Sequence, residues 1–407
     1  IKNLRKILDP SALLACNSRK SAGRAELPPD IRICGSCRLE RLCLMNETRP
    51  AILDLSPAEL VSWLGERGQP SYRADQIFAW IYRKRVTEFA RMSNLSEPLR
   101  AELQNHFQLF GLQKVRQTGS EDSTRKFLFA LVDGNLIETV LIPASPDLYG
   151  TAADRKTLCV STQVGCAYGC KFCASGLDGW TRNLRSGEIV EQIIQVETET
   201  GEKVNNIVFM GMGEPLANFE QLLRAVKTIN ADWGIGIGAR HMTVSTSGLA
   251  PRIRELADQP LQIRLAISLH GATDEVRGQI MPVNRKYPLA ELMDACAYYS
   301  SRKKQRITFE FILIKGVNDS LDQAEKLARL ARRIEAKVNL IPYNQVHGLN
   351  WTRPSNNRQT AFLQALRSRG IDATIRREKG HDIDAACGQL RLQTVRDKTF
   401  AAVSEVR

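Results

Sequence analysis

The sequence predicts an α/β protein whose body is a partial (β/α)6 barrel, preceded by a small helical domain and a short β adaptor. Two observations predict it. From about residue 157, six apolar strand-like runs alternate with helical stretches: TLCVSTQVG, NNIVFMGMG, HMTVSTSG, IRLAISLHG, RITFEFILI and AKVNLIPYN. Strict alternation of this kind is the pattern of parallel βα units. The chain's conspicuous motifs also fall at the ends of those runs, where a parallel barrel places its catalytic loops.

Taken in order, residues 1–44 read as a non-native or dispensable extension, because Met45 opens a segment with the look of a native start. Residues 45–115 read as a helical, RNA-binding domain of three short amphipathic helices: SPAELVSWLGE, RADQIFAWIYRKR and SEPLRAELQNHF. Ser56 supplies an N-cap, Pro57 the first helical position and Glu59 an acidic first turn. Residues 116–150 read as a β-hairpin adaptor, RKFLFALVDG and NLIETVLIPA, turned around Asp133-Gly134-Asn135. The barrel covers 151–350, and 351–407 form a C-terminal segment.

The composition narrows the class. The chain has 407 residues, 43% of them hydrophobic, and a net charge of +13. No stretch approaches the ~20 apolar residues of a membrane span. The positive surplus points to an anionic partner, nucleic acid ahead of membrane. Five of those charges lie in residues 1–44, which weakens the inference without removing it. The opening residues carry no apolar leader core, so a reducing, cytoplasmic compartment is expected. Clustered cysteines there read as metal ligands or catalytic thiols before they read as bridges.

Ten cysteines are distributed unevenly. Cys16, Cys34, Cys37 and Cys43 sit in the first segment, Cys159, Cys166, Cys170 and Cys173 lie within fifteen residues, and Cys296 and Cys387 stand alone. The loop Gly165-Cys166-Ala-Tyr-Gly-Cys170-Lys-Phe-Cys173 follows the first barrel run. Three thiolates within eight residues can hold three irons of a cubane cluster and leave the fourth open to a small molecule. The alternative is a zinc site completed by a remote ligand such as His241 or His270.

That loop, with Gly211-Met212-Gly213-Glu214-Pro215 after the second run, resembles the radical S-adenosylmethionine superfamily. The ordered motifs TLCVSTQVGCAYGCKFCASG, GWTRNL, FMGMGEPLAN, VSTSG, ISLHG, NLIPYN and GHDIDAACGQL resemble more closely the RlmN/Cfr group, which methylates adenosine in RNA. The likeness runs from about Ser56 to the end of the chain.

The resemblance implies roles. Cys166, Cys170 and Cys173 would hold one [4Fe-4S] cluster. Gly213, Glu214, Ser245, Ser268, Leu269, His270 and Asn344 would contact S-adenosyl-L-methionine, two molecules being consumed per methylation. Cys387 would carry the methyl group, Cys159 would resolve a covalent protein–RNA adduct through a Cys159–Cys387 disulfide, and Glu138 would accept a proton. The implied substrates are 23S rRNA and tRNA, and the implied electron donor is a flavodoxin or ferredoxin. A monomer without membrane attachment is expected.

Each residue also has a plainer reading. Cys159 in mid-strand fits a small buried hydrophobe, Cys296 in ELMDACAYY fits a helix core, and Glu138 fits a solvated strand face. Trp180 and Arg182 could grip RNA or simply pack. His381 lies near enough to Cys387 in sequence to touch substrate; His347 has no assigned role. The basic runs Arg182–Arg185, Arg302-Lys303-Lys304 and Arg376-Arg377 fit either solvated helix faces or phosphate contacts. Two competing functions share much of the sequence: a Cfr-type carbon-8 methyltransferase, and a non-catalytic metal-cluster RNA-binding protein.

Overall fold

The computed structural model describes residues 49–119, 124–144, 154–177, 179–344 and 349–376. The front part forms the three expected helices: α1 (Pro57–Gly65), α2 (Tyr72–Phe78) and α3 (Glu97–His106). Ser56 and Glu59 close a reciprocal cap on α1, the Ser56 N–H donating to Glu59 at 2.6 Å and the Glu59 N–H to Ser56 Oγ at 3.3 Å. Helix α2 runs on into a π-turn over Ala79–Arg83, which places Tyr82 in the core beside Phe78.

Strands β1 (Gln113–Thr118), β2 (Arg125–Ala130) and β3 (Leu136–Pro143) form an antiparallel meander. The β2–β3 turn closes where the sequence predicts, the Asn135 N–H donating to Asp133 at 3.0 Å. β1 is a strand that the sequence reading leaves out: its residues, QKVRQT, are nearly all exposed and carry no apolar alternation.

The barrel strands are β4 (Lys156–Cys159), β7 (Asn206–Phe209), β8 (Met242–Thr246), β9 (Arg264–Ser268), β10 (Thr308–Leu313) and β11 (Lys337–Pro342), all parallel. β5 (Gln163–Gly165) and β6 (Trp180–Asn183) form a separate two-stranded ribbon, so the run TLCVSTQVG divides between two sheets. A seventh parallel strand, β12 (Ala373–Ile375), pairs with β11; three residues are too few to register as a hydrophobic run. β1–β4 and β7–β12 make one ten-stranded sheet in chain order, antiparallel at the front and parallel behind.

Helices α4 (Ser186–Thr200) and α5 (Phe219–Asn230) cover the outer face of the first barrel strands. The front helices dock on this pair. Asp54 accepts from the Gly187 N–H at 2.7 Å at the start of α4, and Trp233, just past α5, packs against Phe78 at a tilt and against Tyr82 edge to face. No helix among the described residues is long and apolar enough to cross a membrane.

Candidate active site

The strand register sorts the barrel into two faces. Leu158, Ile207, Val244, Ile267, Phe309 and Leu340 point outward and are fully buried under the helices. Their neighbours point inward: Cys159 pairs with Val208, Ser245 with Ala266, and Ser268 with Glu310, which in turn pairs with Asn339. Polar groups on one face of strands whose other face is apolar mark the concave side as the working surface.

The Cys166–Cys173 loop leaves β5 at this end. Gly165 has φ +71°, and a Cβ there would sit 2.0 Å from the Gly179 carbonyl, so only glycine lets the ribbon strands approach. The loop is anchored by its backbone. The Cys166 N–H donates to Gly179 at 2.8 Å and the Lys171 N–H to Ile280 at 2.9 Å. Burial pushes the Cys166 thiol up to about 12, with Glu214 and Cys173 adding to the shift. Cys170 is raised well above the usual range by burial, then by Cys173 and Cys166. The three sulfurs therefore feel one another.

These residues fit an iron–sulfur cluster better than zinc. A cubane takes one thiolate per iron, and three cysteines of one loop supply three of its four ligands, whereas a zinc site needs a fourth protein ligand on the same tetrahedron. His270 is turned to another task, its Nδ1 accepting from the Ile312 N–H at 3.0 Å. Two residues past Cys173, the buried Ser175 hydroxyl has no partner within the chain, as expected beside a site that receives an acceptor. Metal binding would deprotonate the thiols outright.

The GMGEP turn lies beside the loop. Gly213 takes φ +100°, and a Cβ on it would lie 2.5 Å from Gln163 Cβ, so glycine is required here too. The next residue, Glu214, is buried and accepts from the Leu216 N–H at 3.0 Å and the Ser247 N–H at 2.6 Å, tying the end of β7 to the end of β8. Burial raises its carboxyl, and the two backbone donors pull it back.

At the end of β9, Leu269 and His270 donate their N–H groups to the Glu310 backbone carbonyl at 3.0 and 3.4 Å. His270 holds φ +56°, an uncommon conformation for a side-chain-bearing residue and a frequent mark of a functional position. Burial lowers its imidazole to about 3, so the ring is neutral. Because Nδ1 is an acceptor, its proton sits on Nε2. The ring meets Phe172, inside the cysteine loop, edge to face at 4.6 Å. Asn344 is half-buried and accepts from Arg353.

Sequence reasoning missed Arg277. Its guanidinium is fully buried and donates to the Leu269 carbonyl at 3.1 Å, to Asn284 at 2.8 Å and to the Ser247 carbonyl. It joins the ends of β8 and β9 behind Cys170, and burial lowers it to about 10. Nothing in the helical segment DEVRGQI distinguishes this arginine from a solvated one. Glu310 was missed for the opposite reason: it is hidden inside the apolar run RITFEFILI. Its carboxylate accepts from Asn339 Nδ2 at 2.7 Å, with burial raising it to about 7.

Other expectations change. Glu138 is not a solvated face residue: it is buried, 3.6 Å from the equally buried Lys126. Arg182 pairs with Asp133 and Glu188, and the half-exposed Arg185 with Asp54 and Glu188 at 3.4 and 3.5 Å, so both carry ion pairs within the chain. Lys303 is buried against the Gln259 carbonyl rather than solvated. Cys296 is a core residue, as its helix predicts. Trp180 is half exposed on the ribbon. Cys387, His347, His381, Arg377 and the first-segment cysteines lie outside the described residues. A cavity of about 350 Å³ lined by Arg306, Glu335, Gly370 and Asp372 opens at the opposite, N-terminal end of the strands and holds none of the predicted site.

Residues 160–331 match the radical SAM superfamily, and residues 51–109 match the ribosomal RNA large subunit methyltransferase N-terminal domain. The chain is 53% identical over 367 residues to a probable dual-specificity RNA methyltransferase RlmN 3 of Opitutus terrae, covering 88% of this chain and 98% of that protein. The chain belongs to the RlmN family. A Bacillus subtilis protein described as a probable dual-specificity RNA methyltransferase RlmN is 48% identical over 358 residues, covering 87% of this chain and 96% of that one. The crystal structure of a radical SAM methyltransferase from Sphaerobacter thermophilus superposes with a TM-score of 0.78 at 47% identity, covering 84% of this chain and 98% of that one. A [4Fe-4S] cluster and S-adenosylmethionine are the cofactors that radical SAM membership carries to this RlmN chain, and the cysteine loop fits the first of them.

Proposed function

We propose that this chain methylates carbon 2 of adenine in RNA, acting on 23S rRNA at the peptidyl transferase centre and on the anticodon-loop adenosine of some tRNAs. The observation that carries the reading is that Cys159 and Glu138 share one face of adjacent strands. Val140 pairs with Cys159, and Glu138 lies two residues along β3 on the same side. A thiol and a carboxylate on the concave side, next to the cysteine loop, are what a two-step sulfur-borne methyl transfer requires.

A cluster held by Cys166, Cys170 and Cys173 would supply, from one S-adenosylmethionine, the radical that removes a hydrogen atom. The chain's own residues do the rest. Carbon 2 of adenine is electrophilic, so direct polar methyl transfer fails. Cys387, methylated by a second S-adenosylmethionine, loses a hydrogen atom, and its methylene adds to carbon 2. The adduct radical would give one electron back to the oxidised cluster that Cys166, Cys170 and Cys173 would hold, and its carbon-2 proton passes to Glu138. The Cys159 thiolate attacks the Cys387 sulfur, the sulfur–carbon bond breaks, and the carbon takes a proton to become methyl. The resulting disulfide is reducible in the cytosol, and a flavodoxin or ferredoxin would supply the electron that starts each cycle.

The front helices support an RNA substrate. Lys84 lies 3.4 Å above the Trp80 ring, and Arg73 5.1 Å from the half-exposed Tyr72, giving paired cationic and stacking surfaces. The test is anaerobic: reconstituted enzyme, reductant, S-adenosylmethionine and unmodified 23S rRNA fragment or tRNA, with nucleosides resolved by mass spectrometry. A 2-methyladenosine product is expected. An 8-methyladenosine product would reassign the chain to Cfr-type chemistry. No methylated adenosine despite 5′-deoxyadenosine release would reject adenine as the target.

A further inference from the structure

The buried pair Lys126–Glu138 is used by nothing above except through Glu138 itself. Both side chains are 2% exposed, with Nζ 3.6 Å from the carboxylate. Ion pairs this deep are costly to desolvate, and replacing both members with apolar groups is often neutral or stabilising. A chain that keeps one on a catalytic face has a reason beyond stability. The register supplies it. Lys126 pairs with Val140 across β2–β3, and Val140 pairs with Cys159 across β3–β4, so Lys126, Glu138 and Cys159 project from the same side. The main chain of Glu138 is pinned as well, its carbonyl accepting from Ser161 Oγ at 2.6 Å, while Ser161 Oγ accepts from the Met212 N–H at 2.9 Å. The base is thus fixed to the GMGEP turn.

We infer that Lys126 is the positioning residue that holds the Glu138 carboxylate aimed at the site, so that it can take the carbon-2 proton of the RNA adduct. This rests on the function proposed above. Burial disfavours a carboxylate and a neighbouring cation favours it, and the Lys126 ammonium lies 3.6 Å from the carboxylate oxygen. The proton moves from carbon 2 to that oxygen. On the strands packed against β3 and β2, the other ionisable groups among the described residues that the register turns to this face are Cys159 on β4 and the exposed Arg116 on β1; Arg264, Glu310 and Lys337 share the face only from β9, β10 and β11, farther across the sheet. Arg125 and Lys156 face the other way, both paired to Glu202.

The experiment uses reconstituted full-length enzyme with Lys126→Gln, Lys126→Arg, Glu138→Gln and the Lys126→Gln/Glu138→Gln double variant. Cys387 methylation, the RNA–protein crosslink on denaturing gels and methylated-adenosine release are followed from pH 6 to 9. Lys126→Gln should methylate Cys387 normally and accumulate crosslink. Its release rate should fall at least tenfold at neutral pH, with the acid limb moved up by a pH unit or more. Lys126→Arg should restore the wild-type profile. In the double variant the lysine change should add nothing to Glu138→Gln. An unmoved acid limb, or losses that multiply in the double variant, overturns the inference and leaves Lys126 a structural residue. Should Lys126→Gln not fold, Lys126→Met carries the same prediction. Release by Glu138→Gln at the wild-type rate would instead remove Glu138 as the base, and absence of crosslink and methylated Cys387 from the wild-type chain would reject the underlying function.

Discussion

The two faces of the barrel sheet are made by the same strands and behave as different materials. On the helix side, Leu158, Ile207, Phe309 and Leu340 are fully buried in one continuous core. On the concave side, one residue away in each strand, stand Cys159, Ser245, Ser268, Glu310 and Asn339. The first face is held by area removed from water; the second by a few hydrogen bonds and charges with specific partners. Stability and chemistry are therefore separable by a single step along a strand, and substitutions can test that separation.

The largest effect should come from the cysteine loop, which belongs wholly to the concave end. Cys170→Ala is expected to remove the cluster and with it all detectable S-adenosylmethionine cleavage. The unfolding midpoint of the apo-protein should stay within a degree or two, because the loop is anchored through backbone atoms of Cys166 and Lys171 rather than through sulfur. Iron content and thermal unfolding of the apo-proteins, measured side by side, check this. A large loss of stability would mean that the thiols also hold the fold.

The next test compares neighbours. Leu158→Ala opens a cavity in the helix-side core and should cost about 3–5 kcal/mol in denaturant unfolding. Cys159→Ala, the adjacent residue on the other face, removes one sulfur and should cost roughly 1 kcal/mol, yet it should trap the RNA–protein crosslink. Equal stability losses would erase the distinction between the faces. A Cys159→Ala chain that turns over without crosslink would remove Cys159 from the resolving role.

How much of this was readable in advance follows the same division. The outward face announces itself, because apolar runs recur at every strand and their alternation with helices dictates parallel pairing. The triple-cysteine loop and the GMGEP turn are equally legible, since their residue types have few other uses at that spacing. What the sequence conceals is the partner of a buried charge. Lys126 lies in TRKFLF and Arg277 in DEVRGQI, and each looks like a surface residue until the fold brings Glu138 to one and three acceptors to the other. Arg182 shows the same concealment: a basic residue beside a tryptophan suggests RNA, but Asp133, 49 residues away in the chain, and Glu188, six residues on, both pair with it.

The smallest effect isolates one carboxyl on the concave face. Glu310 is buried, its side chain meets Asn339, and burial raises it from 4.5 to about 7, with Asn339 and Arg376 opposing the rise. A carboxyl whose pKa is higher folded than unfolded binds its proton more tightly in the native state. Its burial is therefore neutral to stability below about pH 4.5 and increasingly costly as pH climbs toward 7, levelling off above that. Converted at 1.36 kcal/mol per unit, the plateau is at most about 3 kcal/mol. Glu310→Gln keeps the Asn339 contact without the charge, so it should change unfolding free energy little at pH 5 and raise it by about 2 kcal/mol more at pH 8. The gain should be visible in denaturant titrations at the two pH values. A variant equally stable relative to wild type at both would mean that Glu310 is already ionised in the fold. The concave face would then tolerate a second unscreened carboxylate beside the one that Lys126 holds.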